Sequence, residues 1–318
     1  MSFQMEEIIH HCLTGFGDCI TGFVSSYIFR YLLEKYTQKK IKLSINWRFV
    51  NCPYIKPIHI NQSRINRRQC GRIDCRYSGQ DGTLAFSQYY MTPRMIHQIR
   101  NKKILLIKTN QYLGKCFIDD TVDRQTIEKL TYEAYRYFWE EVLDQSQIID
   151  DLPTEITRGN FEETLVVQSR LGDQYLSSNR ECDPKQLLEK SYQLITDSPI
   201  NLNSFRHVVL IGDVENQLMK ECFIKVHDNC SEKINIFDGL LGHTVQSSSN
   251  KNVWMKIMID LYLILKSQTL IITNTHSNFA RICMFMRDNT DHRVYYGKDN
   301  QLVKLDDLSL FFAQHYQF

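Results

Sequence analysis

Two glycine-containing segments combine residue types that could bind an anion. Gly15-Phe16-Gly17-Asp18 lies between an apolar run and a helix-like stretch, so backbone amides at this helix start would point toward negative charge. Arg170 directly follows the apolar run Thr164–Ser169 and precedes the turn Gly172-Asp173, which places a planar guanidinium at the end of a predicted strand. The alternatives are a purely structural turn at the first segment and a surface ion pair between Arg170 and Asp173 at the second.

Carboxylates follow another apolar run. Asp213 and Glu215 come after the predicted strand His207–Ile211, and a pair at this spacing could hold a divalent cation on a nucleotide diphosphate. An aspartate just before a helix more often accepts hydrogen bonds from the first helical amides. We therefore predict a helix cap at Asp213 rather than a metal site.

A further group of polar residues surrounds the predicted strand Thr269–Thr273. Asp260 lies on the helix before this strand, and Ser277 and Asn278 follow it at the start of the next predicted helix. Hydroxyl and amide groups at a strand end suit phosphate or ribose oxygens. The alternatives are a solvated helix face for Asp260 and a second helix cap at Ser277.

Several familiar site patterns are missing from the sequence. Ile20 occupies the place of the third glycine of the dinucleotide fingerprint, no Walker lysine is present, and there is no Gly-x-Ser-x-Gly elbow. These absences disfavour NAD binding, ATP hydrolysis and serine hydrolase chemistry. Cys52, His59, Cys70 and Cys75 lie close in sequence, but they lack the Cys-x-x-Cys spacing of zinc sites, so we expect ordinary thiols and no metal.

The elements that would position these residues alternate between strands and helices. A short strand-like run, Ile8–Thr14, is followed by apolar residues at helical spacing over Ile20–Leu32, and a period of two over Ile41–Trp47 predicts a second strand. Together they give one βαβ unit. Further patterns predict a strand over Ile104–Ile107, a helix over about Asp123–Leu143, and a second half with the same alternation, including a helix that begins at Pro184. Strands that alternate with helices imply parallel sheets.

Turn residues and charges near residues 150–160 indicate a domain boundary. We predict an N-terminal, acceptor-side domain over residues 1–155 and a C-terminal, donor-side domain over residues 156–318, two Rossmann-like domains that face each other across a cleft. Residues 49–95 are rich in turn residues and arginine, and we expect a solvated basic loop there. The alternative is a lip that binds an acceptor or an anionic group.

The composition limits the classes of protein. The 318 residues are 43% hydrophobic and 23% charged, which excludes long disorder and leaves a globular protein of about two domains. The net charge of +2 argues against an extended nucleic-acid-binding surface. Ten cysteines scattered over so long a chain are expected to be reduced. The N-terminal segment lacks an export signal, and the apolar span Val253–Leu265 is too short to cross a bilayer, so we expect a soluble protein.

In combination, these motifs resemble a known enzyme family. Thr14–Cys19, followed by a helix and Ile45-Asn46-Trp47-Arg48, is similar to the opening of the NodZ-like α1,6-fucosyltransferases. Arg170 with Gly172-Asp173 resembles the His-x-Arg-x-Gly-Asp motif of the α1,6- and protein O-fucosyltransferases. Asp260–Leu263, followed by Ser277-Asn278-Phe279, resembles their C-terminal donor motif.

The resemblance implies a GT-B fold and an inverting, metal-independent transfer of fucose from GDP-fucose to a glycan, with no cofactor besides the donor substrate. It also implies that Arg170 holds the β-phosphate and that Asp260 accepts a hydrogen bond from the guanosine. The remaining implied donor contacts, at the phosphates, are Phe16, Gly17, Asp18, Ser277 and Asn278.

Two features depart from the family pattern. Gln168 stands where the family has histidine, and no lysine or glutamate follows Arg170 at the family's spacing. The candidates for the catalytic base are therefore Asp173 and Glu181, and we predict Arg170 and Asp173 as the catalytic residues.

Other functions fit the same residues. One is a metal-dependent glycosyltransferase that uses Asp213 and Glu215 with another nucleotide sugar, and another is a catalytically inactive sugar- or nucleotide-binding protein. The expected partners are a nucleotide-sugar donor and a glycan acceptor, with no nucleic acid and no membrane span. Because the bacterial branch of the family works without a membrane anchor, we expect a cytoplasmic location.

Overall fold

The chain forms two compact units, the first mainly up to Gln147 and the second from Ile148 onward. The sequence-based boundary lies further along, after residue 155. The structure, a computed structural model, describes residues 3–12, 15–46, 52–61, 70–75, 99–110, 112–118, 122–171, 183–237, 250–273, 278–287 and 293–305. Each unit is built around its own largely parallel β-sheet, so the fold is of the predicted α/β class.

The first unit has a four-stranded sheet in the order β2-β1-β4-β3. Its strands, all parallel, are β1 (Glu7–His11), β2 (Lys42–Asn46), β3 (Cys70–Cys75) and β4 (Ile104–Thr109). Helix α1 (Phe16–Thr37) joins β1 to β2. The predicted βαβ unit at the start of the chain is therefore confirmed.

The helical pattern over Asp123–Leu143 forms two kinds of helix. Asp123 caps α2 (Arg124–Tyr137), because its side chain accepts a hydrogen bond from the amide of Thr126. A π-helical turn follows at Phe138–Val142, and α3 (Gln145–Asp151) comes after it. The predicted helix therefore exists, but it ends as an α-helix at Tyr137.

The second unit has a six-stranded sheet in the order β10-β9-β8-β5-β6-β7, in which β10 pairs antiparallel with β9 and the other pairs are parallel. Its strands are β5 (Thr164–Ser169), β6 (His207–Gly212), β7 (Ile234–Asn235), β8 (Thr269–Ile272), β9 (Arg293–Lys298) and β10 (Gln301–Lys304). Its helices are α4 (Thr154–Thr157), α5 (Pro184–Thr196), α6 (Asn216–Val226), α7 (Lys251–Lys266) and α8 (Asn278–Met286).

One hydrophobic cluster of the second unit lies between its sheet and the helices α5 and α6. Leu165 and Leu210, on neighbouring strands, are buried with Tyr192 of α5 and Phe223 of α6, whose rings meet at 5.0 Å between centroids. Burying each such side chain contributes about 2 kcal/mol. This packing fixes the position of β5 and therefore of the residue that follows it.

Two general features concern the described residues only. None of the helices there is long and apolar enough to span a membrane. Seven cysteines with described side chains are free thiols, and all but Cys116 are buried: Cys12, Cys19, Cys52, Cys116, Cys222, Cys230 and Cys283.

Candidate functional site

Arg170 emerges from the middle of the sheet of the second unit. β5 lies between β8 and β6, and every residue of β5 is buried, as expected for a parallel strand with both faces covered. In open parallel sheets, ligands bind beyond the carboxyl ends of the strands. The Arg170 side chain is 35% exposed at that edge, so a ligand in solvent can reach it.

Asp213 holds Arg170 from the neighbouring strand. Ser169 and Gly212 are register partners at the ends of β5 and β6, so the residues that follow them emerge side by side. Oδ2 of Asp213 lies 3.5 Å from Nε of Arg170, and Oδ1 accepts a hydrogen bond of 2.9 Å from the amide of Leu171. One carboxylate thus positions both the guanidinium group and the backbone beyond β5.

The predicted helix cap at Asp213 is wrong. Helix α6 begins at Asn216 with Glu215 as its N-cap residue. Both carboxylate oxygens of Asp213 instead contact the residues after β5, Arg170 and Leu171. A cation shared with Glu215 would compete with these contacts. Within the described residues, no group of three or more His, Cys, Asp or Glu side chains could hold a metal ion.

Asp260 lies in the interior of the unit, on α7. Its side chain is 13% exposed, and that of Lys256, one helical turn earlier, is 6% exposed. Lys256 Nζ lies 2.5 Å from Asp260 Oδ1, so the two side chains form a buried ion pair. The alternative of a solvated helix face for Asp260 is therefore wrong.

Several charges influence the Asp260 carboxylate. Burial raises its pKa, the ammonium group of Lys256 opposes that rise, and the negative charge of Asp213 adds to it. Burial also raises the pKa of the Cys283 thiol on α8, and the charge of Asp260 adds to this rise. Asp260 therefore lies close to the end of β6 and to α8, in the same part of the unit as Arg170.

Gln168 occupies the position where the resembling family has histidine. The residue is 3% exposed, and its side-chain oxygen Oε1 has no hydrogen-bond partner in the described part of the chain. Its carbonyl oxygen accepts hydrogen bonds from the amide and the hydroxyl group of Thr273, at 3.0 and 3.2 Å. The backbone of Gln168 thus links the ends of β5 and β8, while its amide side chain is buried.

The predicted glycine turn is present at the start of α1, in the first unit. Gly15 is the N-cap residue and has no side chain to satisfy the first helical amides, which lack intrahelical partners. The ring of Phe16 is buried 6.2 Å from the ring of Phe138 and belongs to the core. An anion at this turn would therefore meet the backbone of Phe16 and Gly17 rather than the Phe16 ring.

Buried thiols lie beside this turn. The side chains of Cys12, at the end of β1, and Cys19, in the first turn of α1, interact, and burial is the main cause that raises the pKa of Cys12. Burial also raises the pKa of Cys52, which lies close enough to Cys19 to sense its charge. Neutral thiols are poor nucleophiles and poor metal ligands.

Other residues singled out in the sequence cannot be placed. Asp173, Glu181 and Ser277 lie outside the described residues, as do Trp47 and Arg48. Asn278 is the first residue of α8, at the predicted helix start, but only its backbone is described. Most of the arginine-rich stretch over residues 49–95 also lies outside the described ranges.

Two units, each with a largely parallel sheet and helical connections, give the chain an α/β fold. No protein-family model matches the sequence, and no curated protein matches it significantly. Solved structures do match. NodZ α-1,6-fucosyltransferase co-crystallized with GDP has a TM-score of 0.51 at 16% sequence identity, over 96% of this chain and 99% of that chain.

Two further matches show the same fold. Fucosyltransferase NodZ from Bradyrhizobium has a TM-score of 0.52 at 15% identity, over 96% of this chain and 99% of that chain. A mutant of Arabidopsis thaliana FUT1 in complex with GDP has a TM-score of 0.59 at 11% identity, over 96% of this chain and 74% of that chain. These matches confirm the predicted GT-B fold and the resemblance to fucosyltransferases at the level of the fold.

Proposed function

We propose that this protein is a glycosyltransferase that moves fucose from GDP-fucose to a glycan acceptor, with inversion and without an essential metal ion. The observation that carries the proposal is the Arg170–Asp213 pair at the carboxyl end of β5. It is supported by the fold, which is similar to that of NodZ α-1,6-fucosyltransferase soaked with GDP-fucose.

Arg170 would stabilise the leaving group of this reaction. Transfer breaks the bond between C1 of fucose and the β-phosphate oxygen, and the bonding electrons leave with GDP. Negative charge therefore grows on the diphosphate, where a preorganised guanidinium offers two parallel donors. Removing one such donor typically costs about 3 kcal/mol of transition-state stabilisation.

The acceptor hydroxyl group would attack C1 from the face opposite the leaving GDP, which inverts the configuration. Its proton must pass to a base as the new bond forms. We propose Asp173 for this role because it follows Arg170 by three residues along the chain. Asp260, Ser277 and Asn278 are the further donor contacts that we propose on the second unit, with Asp260 placed by α7 close to the end of β6.

The start of α1 is a separate proposed anion contact, on the first unit. Its support is the glycine at the N-cap position, which makes no side-chain cap hydrogen bond, and the proposed groups are the backbone of Phe16 and Gly17 together with Asp18. Variants of this turn test its contribution to GDP binding without any change to the residues of the second unit. We also propose a cytoplasmic location, on the resemblance to the bacterial branch of the family.

The engagement of Asp213 favours a metal-independent reaction over a metal-dependent one. Both of its oxygens are used by Arg170 and the amide of Leu171. A cation shared with Glu215 would have to displace at least one of these contacts. One observation favours a binding protein without turnover. Gln168 stands where the family has histidine, and its buried Oε1 lacks a hydrogen-bond partner among the described residues.

Binding and turnover separate these functions. We expect GDP and GDP-fucose to raise the melting temperature, since a ligand at 100 times its Kd adds about 2.7 kcal/mol, while NAD and ATP leave it unchanged. We expect the protein to release GDP from GDP-fucose when a glycan acceptor is added, at the same rate with and without EDTA. Equal protection by UDP-sugars would contradict the fucose assignment, and turnover that EDTA abolishes and manganese restores would support the metal-dependent alternative. Binding of GDP-fucose without turnover would indicate the binding protein.

A further inference from the structure

The Lys256–Asp260 pair is not explained by the stability of α7. Lysine precedes aspartate by four residues in this pair, and the opposite order is the one that favours an isolated helix. Both side chains are almost fully buried. Removing two charges from water costs more than a simple pair usually recovers, so apolar residues at these positions would stabilise the unit at least as well.

The geometry leaves one side of the carboxylate open. Lys256 contacts Oδ1 of Asp260, and Oδ2 has no hydrogen-bond partner within the described ranges. Among the described residues, Lys256 on α7 contacts this carboxylate, and Asp213 beyond β6 and Cys283 on α8 lie near enough to interact with it electrostatically. The Asp213 charge is itself balanced by Arg170. Among the described residues, Lys256 is the only cation in contact with Asp260.

We propose that Lys256 is a positioning residue for nucleotide binding: its ammonium group holds one oxygen of Asp260 and leaves the other to accept a hydrogen bond from the nucleoside of GDP. The inference rests on the proposed function, in which Asp260 is a donor contact. Lys256 does not touch the nucleotide in this arrangement. Its role is to keep Asp260 ionised and in one orientation.

The proposal predicts a specific pH dependence. The ionised carboxylate only accepts hydrogen bonds, whereas protonation turns one of its oxygens into a donor. Burial already raises the pKa of Asp260. Without Lys256 the pKa rises further, so the protonated form becomes populated at higher pH. Affinity for GDP should then fall as the pH falls, by about tenfold per unit of additional pKa shift at pH values below that pKa.

The test compares GDP titrations at pH 6 and pH 8 for the wild type, Lys256→Met, Asp260→Asn and the double variant. We expect Lys256→Met to weaken GDP binding about tenfold or more at pH 6 and much less at pH 8, and to have no further effect in the Asp260→Asn background. Lys129→Met is the matched control, because Lys129 forms an exposed pair with Glu133 at the same i,i+4 spacing on α2. We expect the control to bind GDP as the wild type does.

A second variant and a direct measurement keep the outcomes distinct. Lys256→Gln keeps a hydrogen-bond donor without the charge, and serves if the methionine variant does not fold. Carbon-13 labelling of aspartate reports the titration of Asp260 by NMR without any ligand. If the wild type does not bind GDP, the proposed function fails, and the Asp260 titration then tests only whether Lys256 keeps the carboxylate ionised. An unchanged Asp260 titration, or equal GDP affinity of the wild type and Lys256→Gln at pH 6, would overturn the inference.

Discussion

At the scale of single residues, burial controls the charge of His10. The residue lies in β1 and is fully buried, with Nδ1 3.1 Å from the hydroxyl oxygen of Ser26 and its ring against that of Phe23. Burial lowers the pKa of His10 from 6.5 to about 3. The imidazole is therefore neutral in the folded protein at any pH near neutrality.

This shift makes the stability of the protein depend on pH. Between pH 6.5 and about pH 3, the unfolded chain binds a proton at His10 that the folded chain does not, so stability falls as the pH falls. The expected slope from this residue is about 1.4 kcal/mol per pH unit. His10→Gln keeps a polar side chain that does not titrate, and urea unfolding at pH 7 and pH 5 should show a smaller loss than in the wild type. Equal losses in both proteins would show that His10 is not the cause.

The residues of the site differ in how far the sequence predicts them. An arginine at the end of an apolar run could be recognised at Arg170, but its partner Asp213 follows a different strand, and only the pairing of β5 with β6 brings the two together. Lys256 was missed, although a signal was present. Lys256 and Asp260 are opposite charges four residues apart inside the otherwise apolar run Val253–Leu265, a pattern that indicates a buried pair.

At the scale of elements, α1 packs unusually close to β4. A Cβ added at Gly22 would lie 2.0 Å from the carbonyl oxygen of Thr109 and 2.7 Å from Cε1 of His10. Close to this contact, the hydroxyl group of Ser25 accepts a hydrogen bond from the amide of Leu113. Glycine inside a helix is therefore required here by the approach of the helix to the sheet.

Gly22→Ala tests this packing. Alanine favours helices over glycine by about 1 kcal/mol, so an open site would be stabilised. We expect the clash with the Thr109 backbone to reverse the sign and to destabilise the protein by about 1 to 3 kcal/mol, measured by urea unfolding. Lys129→Ala, at an exposed position of α2, is the control and should change stability little. A more stable Gly22→Ala variant would contradict the described contact.

Local pattern also explains which elements were predicted. The strands β4, β5 and β6 are apolar runs bounded by polar residues, so the pattern and length of these runs were sufficient to predict the strands. The π-helical turn Phe138–Val142 keeps the helical spacing of apolar residues, and Phe138 packs there against Phe16 and Phe23. The hairpin β9–β10 was missed, although Asp299-Asn300, both with positive φ, is a typical two-residue hairpin turn.

At the scale of the whole molecule, the alternation of strands and helices predicts parallel sheets but not their strand order. β4 inserts between β1 and β3, and β8 lies beside β5; the register partners Glu7 and Ile104, like Leu165 and Thr269, lie about 100 residues apart along the chain. That order is set by long-range pairing. It determines which strand ends are neighbours, and it is the reason that Arg170, Asp213 and Asp260 lie in one part of the second unit.

The central claim is that Arg170, held by Asp213, binds the diphosphate of the donor. Calorimetric titration of GDP into the wild type, Arg170→Lys and Arg170→Ala tests it directly, with Arg206→Ala as the control because Arg206 is exposed at the opposite end of β6. Lysine offers a point charge in place of a planar pair of donors, so we expect weaker GDP binding in Arg170→Lys, still weaker binding in Arg170→Ala, and wild-type binding in the control. Unchanged GDP affinity in Arg170→Ala would contradict the claim.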